Sequence, residues 1–146
     1  MIEVEEYKGR EEIAPALYAI LADVYTVSPW TVEQIAIDIM RPETYYYLAK
    51  EGQNLLGFLA VQQLVDELEI LHIAVRTVVQ GQGIAGRLLE CIELFSGAVF
   101  LEVRASNQRA KRLYERYGFV EIARRKDYYP NPTEDAIMMK REIDER

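Results

Sequence analysis

Three stretches of this chain carry residue types and spacings that could do chemistry. The first is Gly81-Gln-Gly-Ile-Ala-Gly86, preceded by Gln80 and set between the apolar run Leu68–Val75 and a helical pattern. Glycines at the mouth of a helix leave backbone amides bare; those amides and the helix dipole converge on one point, which makes an anion site. The second is Glu102, an acid in the apolar run Val99–Val103 and a candidate general base at a strand end. The third is Tyr114, on the inner face of the next helical pattern. With a pKa of about 10, a tyrosine keeps its proton at neutral pH; an aromatic at this helical spacing is either core packing or an acid. Two other reactive residues are expected to be structural. His72 stands alone in a strand pattern, and Cys91 falls on the apolar face Ile84, Leu88, Cys91, Ile92 and Phe95, where packing is the expected role.

The elements that must position these residues follow from periodicity. Ile2–Tyr7 alternates and reads as an edge strand. Ile13, Leu17, Ile20, Leu21 and Val24 give Arg10–Tyr25 a helical stripe, with Pro15 near its first turns. Ser28-Pro-Trp30 ends that helix, and Val32, Ile35, Ala36 and Ile39 mark a second, short one capped by Thr31. Trp30 in this connection reads as a core plug or a ligand contact. Thr44–Lys50, Leu55–Val65 and Leu68–Val75 form an antiparallel meander joined by turns at Glu51–Asn54 and Asp66-Glu67. A helix over Gly83–Ser96 leads to the strand Val99–Val103. A helix over Asn107–Tyr117 follows, capped by Asn107 or Ser106 and stopped by Gly118. Phe119–Asp127 and Asp135–Ile143 close the chain as strands around Tyr128-Tyr-Pro-Asn-Pro-Thr133. Residues 1–146 are expected to form a single α/β domain with a largely antiparallel sheet.

Composition narrows the class. Half of the 146 residues are apolar, which opposes disorder. No apolar run approaches the roughly 20 residues of a membrane span, and the N-terminus lacks the pattern of a signal peptide. The single cysteine leaves no intrachain disulfide and fits a reducing compartment, so a cytoplasmic location is expected, with no membrane partner. Net charge is −7, which opposes direct, nonspecific nucleic-acid binding. Residues 76–112 nevertheless hold six basic and three acidic side chains, so a local +3 surrounds the glycine loop and −10 lies elsewhere. A basic island suits a phosphate ligand, and an acidic remainder can attract a cationic one. No metal is expected.

Read literally, Gly81-x-Gly83-x-x-Gly86 is the dinucleotide fingerprint, with Glu102 about 20 residues on where a ribose-binding acid would sit. Two features oppose it. Arg76–Gln80 separate the strand from the first glycine, and the remainder ends in a hairpin where further parallel units are needed. The P-loop lacks its closing Gly-Lys-Ser/Thr. Parsed instead as Gln80-x-x-Gly83-x-Ala85, the loop resembles the acyl-CoA loop of the GNAT N-acetyltransferase superfamily. Small residues at 83 and 85 would let a pyrophosphate approach the amides of residues 80–85. Leu101-Glu-Val-Arg-Ala-Ser-Asn107, Leu113-Tyr114, Gly118-Phe119, Tyr128-Tyr-Pro130, Glu134-Asp-Ala136 and Pro29-Trp30 further resemble the bacterial ribosomal-protein alanine N-acetyltransferases. Ala85 departs from the commoner glycine, and the Tyr129–Glu134 turn is short.

The resemblance implies a mixed, largely antiparallel, twisted sheet of about seven strands flanked by about four helices, with acetyl-CoA as cosubstrate. It places acetyl-CoA on Ile73, Ala74, Val75, Gln80, Gly81, Gln82, Gly83, Ile84, Ala85 and Asn107. Glu102 becomes the base and Tyr114 the acid that protonates the departing thiolate, with Trp30, Tyr128 and Tyr129 toward the acceptor. An α-amine has a pKa of about 8 against about 10.4 for lysine, so one carboxylate suffices for the former. The implied acceptor is the N-terminal peptide of a ribosomal protein, beginning with alanine. Lysine, a small-molecule amine, or a catalytically silent CoA-binding module remain alternatives at this point; the oligomeric state is open.

Overall fold

The computed structural model describes residues 1–9, 12–25 and 27–143, without the side chain of Ile143. Its strands are β1 (Ile2–Glu6), β2 (Thr44–Glu51), β3 (Asn54–Leu64), β4 (Glu67–Val75), β5 (Gly97–Arg104), β6 (Val120–Tyr129) and β7 (Glu134–Ile143). They form one sheet in the order β1-β2-β3-β4-β5-β7-β6. Every neighbouring pair is antiparallel except β4 and β5. Four helices flank it: α1 (Ala14–Val24), α2 (Val32–Ile39), α3 (Ile84–Glu90) and α4 (Gln108–Arg116). This is the expected mixed, largely antiparallel architecture.

Alternation along the strands sends apolar side chains to both faces, and each face has its own core. On one, Leu17, Leu21 and Ile35 of α1 and α2 cover Tyr46, Leu48, Phe58 and Ala60. On the other, Ile84 and Leu88 of α3 and Tyr114 of α4 cover Leu59, Val61, Leu101 and Met139. Central β3 is therefore buried on both sides from Leu56 to Val61. Thr31 caps α2 as the sequence implies: its hydroxyl accepts from Gln34 N–H at 3.1 Å, and Gln34 Oε1 accepts from Thr31 N–H at 2.8 Å.

Two expectations are corrected. The first helix begins at Ala14; Arg10 and Glu11 lie outside the described residues. The helix expected over Gly83–Ser96 ends at Glu90, because the chain must turn back to lay Gly97 and Ala98 beside β4. Cys91 is consequently an exposed helix cap and not core packing. The Ile92 carbonyl accepts from Phe95 N–H at 3.1 Å and also from the buried Arg141, whose Nη2 donates to it at 2.9 Å.

β4 controls the centre of the molecule in two ways. Ala60 pairs with His72 but Val61 pairs with Ile70, so Leu71 is an extra residue, a bulge. Leu68 and Ile70 point to the α3–α4 core, whereas His72 and Ala74 point to the α1–α2 side and Val75 returns to the first face. The parallel contact with β5 is also brief. It covers Glu67–Glu69 against Ala98–Phe100, although β4 runs on to Val75 and β5 to Arg104. Past Glu69 the two strands part.

Candidate active site

The parted strands leave main-chain groups facing a gap. Arg76 N–H donates to the Leu56 carbonyl at 2.8 Å across β3. Antiparallel alternation then directs the N–H and C=O of Val75 and Ile73 away from β3 and into the gap. The Val75 carbonyl is met by Gln80, whose Nε2 donates to it at 2.9 Å. Ile73 and Val75 thus turn backbone toward the gap, whereas the backbone of Ala74, also expected at the cosubstrate, pairs with β3.

Thr77–Val79 makes a single 3-10 turn before the glycine loop. Its first residue is held by Asp23 at the end of α1, whose carboxylate accepts from the Thr77 N–H at 2.8 Å. Gly81 and Gly83 adopt φ of +85° and +80°, where a β-carbon is strained, and Gly83 is the N-cap of α3. Gly81, Gln82 and Gly83 are exposed, Ile84 is buried and Ala85 half-buried, so the loop shows backbone outward while α3 anchors it. Arg109 reaches over from α4, with Nη1 3.4 Å from Gln80 Oε1. Of the basic island, Arg109 is brought to the loop, whereas Arg87 bonds the Ile2 carbonyl, Lys111 pairs with Glu121 and Arg104 turns to residues 130–134. Gly86 acts differently. A β-carbon there would strike the Tyr117 hydroxyl, so the third glycine serves helix packing.

Glu102 lies half-buried on β5, on the open α1–α2 side of the gap. Three neighbours register its charge. Burial and Glu102 both raise the Glu69 carboxyl above its ordinary value. The Tyr128 hydroxyl faces the Glu102 carboxylate, which lifts that phenol, and Tyr129 is lifted by burial and then by Glu102. Tyr114 rises from the opposite layer on α4. It is 7% exposed, packs at 5.9 Å between ring centres on Phe119, and burial raises its pKa, with Tyr25 and Tyr129 adding to the shift. Its proton is therefore secure at neutral pH. Tyr25, raised by burial and partly relieved by Arg104, completes this group.

The structure thus brings Glu102, Tyr114, Tyr128 and Tyr129 together beside the strand end. Asn107 is the cap of α4: its side chain accepts from Ala110 N–H at 3.2 Å. Trp30 stands apart from this group. It packs edge-on against His72 at 4.3 Å and borders a cavity of about 340 Å³ with Gln34, Asp38, Arg41 and Leu71. Among the described contacts none joins Trp30 to Glu102; it is half-buried and packs against the α1–α2 core. Sequence reasoning missed Tyr25, Glu69 and Arg104 as neighbours of the site; the place of Glu69, the last paired residue before β4 and β5 part, emerges only from the strand pairing.

Residues 14–119 match the family model for the acetyltransferase (GNAT) family. The chain belongs to that family, whose members use acetyl-CoA. Within it, the chain is 36% identical over 132 residues to the [ribosomal protein bS18]-alanine N-acetyltransferase of Escherichia coli K12, covering 86% of this chain and 88% of that one. It is 33% identical over 120 residues to the N-alpha-acetyltransferase RimI of Mycobacterium tuberculosis, covering 78% and 76% respectively. The crystal structure of the ribosomal-protein-S18-alanine N-acetyltransferase from Escherichia coli superposes with a TM-score of 0.89 at 30% identity, covering 100% of this chain and 96% of that one.

Proposed function

We propose that this protein transfers the acetyl group of acetyl-CoA to the N-terminal α-amine of a protein, and that its natural acceptor is the N-terminal alanine of a small-subunit ribosomal protein in the cytoplasm. One observation carries the chemistry: Glu102 stands on β5 where β4 and β5 part, and Tyr129 lies within electrostatic reach of both Glu102 and the buried Tyr114 of α4. The names of the two relatives support the α-amine acceptor.

The residues divide the reaction as follows. The outward amides of Gly81–Ala85 and the Arg109 cation receive the pyrophosphate of acetyl-CoA. The backbone of Ile73–Val75 holds its pantetheine arm in the gap as a strand would, and Asn107 borders the same site from the start of α4. Glu102 takes a proton from the acceptor ammonium, directly or through water, releasing the neutral amine that attacks the acetyl carbonyl. The Val75 N–H stabilises the developing oxyanion. As the carbon–sulfur bond breaks, Tyr114 gives its proton to the thiolate; the attacking nitrogen sheds its second proton to water, and Tyr114 is reprotonated from solvent. Tyr128 and Tyr129 wall the acceptor side, and the acidic remainder of the chain steers a basic N-terminal tail toward it. Trp30 supports this wall through the α1–α2 connection.

Two peptides test the reading: one with a free N-terminal alanine and no lysine, the other with a blocked N-terminus and one lysine. Incubation with acetyl-CoA should add one acetyl mass to the first alone. Acetylation of the lysine peptide alone would overturn the acceptor assignment.

A further inference from the structure

Arg104 ends β5 two residues past Glu102, and its guanidinium is committed to the turn between β6 and β7. Nη2 donates to the Pro130 carbonyl at 2.7 Å; Nη1 donates to the Pro132 carbonyl at 3.0 Å and meets Glu134 Oε2 at 3.2 Å. The same group lies 4.6 Å from the centre of the Tyr129 ring. Glu134 is fixed in turn by Ser106: its Oε1 accepts from the Ser106 N–H at 2.8 Å and its Oε2 from the Ser106 hydroxyl at 3.1 Å. These bonds hold the Glu134 carboxyl below the usual carboxylate range.

Within the hairpin Asp127 N–H donates to Asp135 Oδ1 at 3.0 Å, and Arg104 adds a fastening from outside it. The β6–β7 ladder breaks between Arg125 and Tyr129, so residues 126–128 leave it. Asp127 and Asn131 sit at φ of 52° and 54°, costly for residues with a β-carbon. Pro130 and Pro132 have no N–H with which the turn could close on itself. A planar guanidinium can hold two carbonyls, a carboxylate and a ring face at once, which a lysine point charge cannot.

We propose that Arg104, locked by Glu134 and Ser106, is a positioning residue that fixes Tyr128, Tyr129 and the 130–134 turn as the acceptor wall. It governs affinity for the acceptor peptide and leaves acetyl-CoA binding alone. This rests on the reading that the hairpin lines the acceptor site, so a control is included.

The test is steady-state kinetics of the full chain with acetyl-CoA and the free-alanine peptide for Arg104→Gln, Arg104→Lys, Glu134→Gln, the double variant Arg104→Gln/Glu134→Gln, and Tyr129→Ala. Arg104→Gln should raise the peptide KM about tenfold or more while the acetyl-CoA KM stays within about twofold. Arg104→Lys should recover only a minor part of this loss. Glu134→Gln should shift the peptide KM in the same direction, and the double variant should be no worse than Arg104→Gln alone, because the two act as a unit. Tyr129→Ala should also raise the peptide KM. If it does and Arg104→Gln does not, the clamp is wrong and the acceptor wall stands. If neither moves it, the hairpin is not the acceptor wall and the proposal falls with that reading. If Arg104→Gln raises both KM values together, or Arg104→Lys restores full activity, the positioning role is overturned.

Discussion

Replacing His72 by leucine should make the protein more resistant to acid. The imidazole is 8% exposed, with its Nε2 buried and unpartnered, between Trp30 at 4.3 Å and Phe58 at 6.3 Å. Burial lowers its pKa from 6.5 to about 4. The unfolded chain takes up this proton below about pH 6.5, whereas the folded protein holds it off until about pH 4. Through that window the unfolded state binds more protons, so stability falls as pH falls and is unaffected above it. The full loss is about 3 kcal/mol below both values, and about 2 kcal/mol is already lost at about pH 5. Leucine has similar bulk, no proton to gain and no orphaned nitrogen. Urea unfolding of both proteins at about pH 7.5 and about pH 5 reads the difference directly. The stability of the variant relative to the parent should grow by about 2 kcal/mol between these two points. Carboxylates with lowered pKa, such as Glu134 and Glu121, lose their contribution at lower pH in both proteins and cancel. A gap that stays constant with pH would refute the reasoning.

Three further outcomes follow from the site. Glu102→Gln should cut peptide acetylation by about 10²–10⁴ while acetyl-CoA affinity, measured by calorimetry, holds; unchanged turnover would remove Glu102 as the base. Asn107→Ala removes the cap on Ala110 N–H and should lower stability by about 1 kcal/mol in a denaturant melt. A simultaneous rise in the acetyl-CoA KM is expected if Asn107 borders the cosubstrate as proposed, and an unchanged KM would confine it to capping. Gly83→Ala meets no atom within 4 Å, so its cost is conformational. It should destabilise by about 1 kcal/mol and raise the acetyl-CoA KM; a variant as stable as its parent would contradict the left-handed backbone.

Much of the fold was legible because local pattern and tertiary demand agreed. Alternation marked all seven strands to within a few residues, and Thr31, Asn107 and Gly118 sat at the helix boundaries they were expected to set. The failures are places where the whole sheet overrules local spacing. Cys91 continues an apolar stripe, yet β5 must start beside β4, so the helix stops one residue earlier. The bulge at Leu71 has no glycine or proline to announce it and shows only in the shifted pairing. The loop and the Glu102–Tyr114 pair were visible as residue types in order. Arg104, Glu134 and Tyr25 were not: their roles arise from contacts between segments distant in sequence, and no periodicity reports a guanidinium that closes a turn 26 residues away.

The divergence of β4 from β5 also bears on how the protein persists in a cell. Two strand edges face each other in mid-sheet with their ladder unfinished, which in an ordinary sheet would be a defect. An acyl carrier laid along them, as proposed above, would act as a missing strand, and folded protein and ligand would share one free-energy balance. Saturation at a hundred times the dissociation constant adds about 2.7 kcal/mol to the native state. With acetyl-CoA bound there as proposed, its level would shift the folding equilibrium of the protein as well as its rate of reaction.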